Sequence, residues 1–285
     1  MTIIFDGIAY GMLLFILACG LALTLGLMNF INLAHGAFAM AGGYVLVVLT
    51  QRAGVPFLAC LPLAFLVTAL IGALLERTLY QHLYGRSHLD QVLFSVGIIF
   101  MAITAVQYVM GSSQQIVRLP DWLQGRVEIA GIGMGVYRLF TIAICAVVAI
   151  ALQVGLVRTR FGSQLRAAVD DPTVARGLGI NVSLVFAVTF AVGSGLAGLG
   201  GALGAELLGL DPVFPLRYMI YFLVVVAVGG TTTITGPLLA ALILGIADVL
   251  GKYYVPQLGA FIIYTLMVLI LLWRPNGLFS RAVAR

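Results

Sequence analysis

The chain has 285 residues, of which 62% are apolar and 9% charged, and its mean hydropathy is +1.14. Soluble domains carry about 25% charged and about 45–50% apolar residues, which excludes a soluble enzyme, a nucleic-acid-binding domain and a disordered chain. The net charge of +5 comes from basic residues scattered mostly singly through the connections, where they report orientation in a membrane rather than a polyanionic ligand.

Apolar runs recur at residues 5–27, 34–50, 57–79, 91–111, 137–157, 181–206, 216–230, 236–251 and 257–273. Most approach the roughly 20 residues needed to cross a bilayer as a helix. They are too long and unbroken for the short alternating strands of a barrel. The expected fold is therefore all-α, a polytopic bundle of eight or nine spans forming a single membrane domain over residues 1–285. The N-terminus has no basic region before the first run, so that run reads as a retained span rather than a cleaved signal. Cys19, Cys60 and Cys145 all fall inside apolar runs, where they read as small packing residues rather than disulfides or metal ligands.

Between the first and second spans lies Asn29-Phe30-Ile31-Asn32-Leu33-Ala34-His35-Gly36. Polar residues at membrane depth need partners or water. Asn29, Asn32 and His35 thus either line a cavity at an unwound helix end or cap helices within the bundle. The connection 112–136 carries Trp122 and Tyr137 near its ends, as expected of a loop at the membrane interface.

The connection 158–180 is the most patterned stretch. Ser163 is expected to cap one short helix, with Leu165, Ala168 and Val169 on a shared face. Asp171-Pro172 begins a second helix, which Gly177 and Gly179 stop. Two amphipathic helices on the cytoplasmic surface, with Arg166 and Asp170 at i,i+4, read either as a docking element for a soluble partner or as an interfacial brace.

The sixth run is rich in small residues, and Ala197, Gly201 and Ala205 have the spacing that lets helices approach closely. Gly7 and Gly11 repeat that spacing in the first run. Gly229-Gly230 and Gly236-Pro237 bracket a break between the short seventh and eighth runs, the pattern of broken helices beside a cavity. With the C-terminus inside, nine basic residues lie on that side and six on the other, in agreement with the positive-inside rule. The sequence has no G-x-x-x-x-G-K-[ST] motif, no H-E-x-x-H and no G-x-S-x-G. No ionisable group is clearly placed at mid-membrane, which speaks against an ion-coupled carrier.

Three segments together, Asn32-Leu33-Ala34-His35-Gly36, Gly162…Arg166-Ala167…Ala175…Gly179-Ile180 and Arg274-Pro275-Asn276-Gly277-Leu278, resemble the permease subunits of bacterial branched-chain amino-acid ABC transporters over essentially the whole chain. The resemblance implies a multi-pass protein of the bacterial inner membrane with a cytoplasmic C-terminus. It also implies a second homologous permease, two cytoplasmic ATP-binding subunits holding ATP and magnesium, and an extracytoplasmic solute-binding protein. This chain would then be a non-enzymatic transport subunit with no cofactor or metal of its own. Residues Gly162, Arg166, Ala167, Asp170, Ala175 and Gly179 would couple to the ATPase. Asn29, Asn32, His35, Gly36, Gly229, Gly230 and Thr232 would shape the translocation pathway. Thr232 and Ala240 stand where family members commonly carry glycine. The alternatives are urea or short amides as the cargo of the same importer class, and an autonomous ion-coupled carrier or channel. A membrane-embedded enzyme has no reactive constellation behind it.

Overall fold

The computed structural model describes every residue except Met1, Asn29, Ala130, Thr231, Thr232, Asn276 and 279–285. Among the described residues, nine apolar helices follow the nine apolar runs. They are α1 (Thr2–Met28), α2 (His35–Gln51), α3 (Phe57–Thr78), α4 (His88–Met110), α5 (Val136–Arg158), α8 (Val182–Leu208), α9 (Phe214–Gly229), α10 (Thr235–Tyr254) and α11 (Gly259–Trp273). Six of them are long and apolar enough to cross a membrane, and α2, α9 and α11 are shorter. The eighth run extends further than its hydropathy suggested, giving α10 twenty residues. Two short helices, α6 (Arg160–Asp170) and α7 (Pro172–Gly177), occupy the connection between α5 and α8.

Helices α1 and α8 form the centre of the bundle, and their middle turns are buried. Small residues permit this. A Cβ at Gly198 would overlap Thr68 of α3, one at Gly201 would overlap the Ala39 backbone of α2, and Gly11 of α1 lies against Ala241 and Leu242 of α10. In a membrane, where lipid is as apolar as leucine, such close backbone approach is a main source of helix association. Helices α4 and α5 sit outside, with Leu93 and Val147 among their exposed apolar residues. Faces of that kind are suited to lipid or to another membrane chain.

At one end of the bundle the connection 112–135 is more ordered than an interfacial loop requires. It forms an antiparallel hairpin of β1 (Arg126–Ile129) and β2 (Ile132–Gly135), and Gln115 pairs with Leu210 beyond the end of α8. Trp122 packs edge-on against Phe140, while the Tyr137 hydroxyl is buried and donates to the Leu203 carbonyl at 2.7 Å. Asp6 of α1 pairs with Arg138 of α5 at this same end. The opposite end gathers the last turns of α1 and α3, the start of α8 and the α6–α7 hairpin.

Candidate functional site

Helix α6 begins one residue after α5 ends. Its N-cap is Thr159, whose hydroxyl accepts from the Gly162 N–H at 3.3 Å. Sequence reasoning placed the cap at Ser163. Thr159 takes the role because α6 follows α5 with a single residue between them, which leaves Ser163 inside the first turns of α6. Asp171 caps α7 as expected, accepting from Thr173 and Val174 at 2.8 and 3.0 Å. The far end of α7 closes in a Schellman arrangement, with Ile180 donating to Ala175 and Gly179 to Arg176, both at 3.0 Å. Gly179 has φ +82° there, a conformation that a side chain disfavours.

The hairpin is amphipathic in the folded protein. Leu165, Ala168 and Ala175 are buried together with Val182 and Val185 of α8. Of the predicted coupling residues, Gly162 and Ala175 are buried, Ala167 is half-buried, and Arg166, Asp170 and Gly179 are exposed. Arg166 does not pair with Asp170. Its Nη1 donates to the Leu156 carbonyl at the end of α5 at 2.5 Å, and its Nη2 to Ser163 Oγ at 3.4 Å. The outward surface instead shows Val174 and Leu178, exposed by 58% and 74%. Sequence reasoning passed over both, although two apolar residues four apart in a stretch outside the apolar runs were readable.

Beneath the hairpin is a cavity of about 490 Å³, lined by residues of α1, α3, α6, α7, α8 and the turn after α3. Glu76 lies on its wall and is 1% exposed. The adjacent Arg77 Nε is 3.9 Å away, and Tyr84 supplies the hydrogen bond at 2.8 Å. Burial, and then the adjacent Glu76 carboxylate, push the Tyr84 phenol well above its usual range, so it stays protonated and donates. The second Glu76 oxygen, Oε2, is buried without a hydrogen-bond partner among the described residues.

Near the same end, residues 30–34 are unwound between α1 and α2, and backbone groups freed in this way must be satisfied by neighbouring elements. The Ile31 N–H donates to Gln91 Oε1 at 3.1 Å, and Ser95 Oγ donates to the Ile31 carbonyl at 3.4 Å. Gln91 also donates from Nε2 to the carbonyls of Leu83 and Arg86. Asn32 is buried and accepts from the Tyr80 hydroxyl at 3.4 Å. Gln91, Ser95 and Tyr80 were missed from sequence. Gln91 and Ser95 had offered one signal, two polar residues four apart near the start of an apolar run.

The predicted pathway residues divide into two groups. His35 is buried edge-on against Phe222 of α9, and its Nε2 has no hydrogen-bond partner among the described residues. Gly36 faces Pro215 near the start of α9. Gly229 faces Pro237 where α9 turns into α10, and Gly230 caps α9 with φ +81°. Fourteen residues of α9, about 21 Å of helix, separate Pro215 from Gly229, so the structure does not bring the two groups together. Asn29 and Thr232 lie outside the described residues. The C-terminal segment folds back on this break. Leu278 donates its N–H to the Val228 carbonyl at 2.8 Å, and Gly277 sits against Gly230.

Among the described residues, nine apolar helices around small-residue contacts, with a polar hairpin across one end, define a polytopic helical membrane protein. The chain belongs to the family described as the permease component of branched-chain amino acid transport systems, whose model matches residues 3–271. It is a transport-family membrane protein. It is 26% identical over 289 residues to the high-affinity branched-chain amino acid transport system permease protein BraD of Pseudomonas aeruginosa, covering 97% of this chain and 94% of that one. It is also 26% identical over 292 residues to LivH of Escherichia coli K12, with the same coverage. Against LivM of Salmonella typhimurium it is 27% identical over 294 residues, covering 94% of this chain and 68% of that one. No solved structure matches the chain.

Proposed function

We propose that the chain is the membrane-spanning subunit of an ATP-driven importer that carries branched-chain or other hydrophobic amino acids across the bacterial inner membrane. The α6–α7 hairpin is its docking element for a separate ATP-binding subunit. One observation carries this reading. The hairpin buries one face on the bundle and turns Val174 and Leu178 outward, beyond the helices that span the membrane. An apolar pair on a short polar hairpin is the kind of anchor that seats in a partner's pocket. Asp170 and Ala167 flank it on the adjoining helix, while Gly162, Arg166, Ala175 and Gly179 hold the hairpin in shape.

The hairpin side is the cytoplasmic side, where the C-terminus also lies, because Arg77, Arg86, Arg158, Arg160, Arg166 and Arg176 gather there. The working assembly comprises a second homologous permease, two ATP-binding subunits carrying ATP and magnesium, and an extracytoplasmic binding protein. The pathway passes Asn29, Asn32, His35 and Gly36, and Gly229, Gly230 and Thr232 shape its cytoplasmic end. The names of BraD and LivH, high-affinity branched-chain amino acid permeases, support the cargo class.

Co-purification in mild detergent from the native host, with mass spectrometry of the bound chains, tests the assembly. Recovery of a P-loop ATPase that is lost on Leu178→Asp is the expected result. Recovery of this chain alone, with solute flux in its own proteoliposomes, would replace the importer with an autonomous carrier. Uptake of urea or short amides in place of leucine would overturn the cargo assignment only.

A further inference from the structure

The cavity under the hairpin presents opposite charges across an apolar lining. On one wall is Glu76, 1% exposed, with Oε1 held by Tyr84 and Oε2 without a hydrogen bond among the described residues, the half-exposed Arg77 Nε standing 3.9 Å away. On another is Arg176 of α7, which forms no ion pair among the described residues. Between them lie Met28, Val169, Val182 and Phe186. A buried carboxylate oxygen without a donor is costly, and its natural complement is a cationic N–H group. An exposed guanidinium is the residue best shaped to receive a carboxylate. The volume of about 490 Å³ falls in the range of small-molecule pockets, about 300–1,000 Å³.

We propose that this cavity binds a zwitterionic α-amino acid with an apolar side chain, its ammonium on Glu76, its carboxylate on Arg176 and its side chain among Met28, Val169, Val182 and Phe186. Simple anions are disfavoured by Glu76 and simple cations by Arg176, whereas a zwitterion satisfies both. The site rests on the importer reading, because it takes the same chemical class as the proposed cargo. It lies at the end of the bundle to which that cargo is delivered. The two charged groups belong to different moving parts, Glu76 to the spanning helix α3 and Arg176 to the hairpin. A bound amino acid therefore ties the hairpin to the bundle and restrains the movement that docking has to transmit. Accumulated product on the cytoplasmic side would slow its own import.

The test uses the complex as purified from the native host, in nanodiscs of phosphatidylglycerol so that no lipid headgroup supplies an ammonium, and without binding protein. Radiolabelled leucine is expected to bind once per copy of this chain and to lower ATPase activity. Glu76→Gln should weaken binding about tenfold, the effect of losing one charge-assisted hydrogen bond, and leucine amide should bind more weakly than leucine. Ser183→Leu narrows the cavity from α8 and should weaken binding as well, so the site remains testable if Glu76→Gln does not fold. Absence of leucine binding in the unmodified complex, or full binding in both variants, overturns the proposal. Import of leucine into proteoliposomes initially free of internal leucine is measured separately. Import with no Glu76-dependent binding overturns the cavity alone. Glu76-dependent binding without import overturns the cargo assignment alone.

Discussion

Gly162 and Arg166 converge on a single atom, the carbonyl oxygen of Leu156. The α-carbon of Gly162 lies so close to it that a Cβ would overlap, and Arg166 Nη1 donates to it at 2.5 Å. The last carbonyls of a helix have no partner within it, so Arg166 satisfies one of those of α5 and adds a positive charge at its negative end. One residue gives α6 the space to fold back, and the other fastens it there.

The first prediction follows from that pairing. Gly162→Val should displace α6, because overpacking against backbone costs about 1–3 kcal/mol. Arg166→Glu should set a carboxylate against the Leu156 carbonyl. Both variants should reach the membrane in normal amounts but lose uptake, and Arg166→Lys should retain part of it. Uptake and membrane abundance measured side by side decide the matter. Full uptake with Arg166→Glu would sink the bracing role.

A second prediction concerns Val174 and Leu178. Both are exposed, so replacing either with aspartate should change folding stability by no more than about 0.5 kcal/mol. The same substitutions should remove the ATP-binding partner from co-purified material. A partner retained at full occupancy by the double variant would place docking elsewhere.

The unwound segment before α2 gives the third. Gln91→Leu strips a partner from the Ile31 N–H and from the carbonyls of Leu83 and Arg86 at once. The Leu83 carbonyl keeps the Arg86 N–H and Arg86 is exposed, so the loss falls mainly on the Ile31 N–H, and a polar group left buried without a partner costs about 1–3 kcal/mol. The variant should melt at a clearly lower temperature in detergent, and Gln91→Glu, which keeps the acceptor for Ile31, should fall between the two. Equal melting temperatures for Gln91→Leu and the parent would show that water replaces the side chain.

The fourth concerns the C-terminal fold-back. Leu278→Pro removes the N–H that reaches the Val228 carbonyl, leaving one carbonyl at the end of α9 unsatisfied. Limited proteolysis should then cut more readily between α9 and α10. An unchanged cleavage rate would mean that the tail does not secure this break.

Much of this architecture was legible in one dimension. Hydropathy located the nine apolar runs that the helices follow, because spanning a bilayer requires long apolar runs wherever the helices later pack. Asp171-Pro172 and Gly179 announced the ends of α7 because caps are local, depending on residues within one turn. Ser163 failed as a cap for a related reason. The length of α5 decides which hydroxyl stands at the start of α6, and an apolar run marks its end only to within a few residues.

The sequence by itself determined the membrane class and the existence of a patterned hairpin between the fifth and sixth spanning runs, and it left the number of spans at eight or nine. Only the tertiary structure decided which polar groups meet. Gln91 holds Ile31 from sixty positions away, Leu278 closes α9, and Arg166 turns to Leu156 rather than to Asp170. Glu76 is buried with Oε2 lacking a hydrogen bond among the described residues, although an arginine follows it in the chain. The reason is physical. Apolar burial follows from composition along the chain, whereas a hydrogen bond needs two groups at about 3 Å with the right direction, and that condition is set only when distant helices have packed.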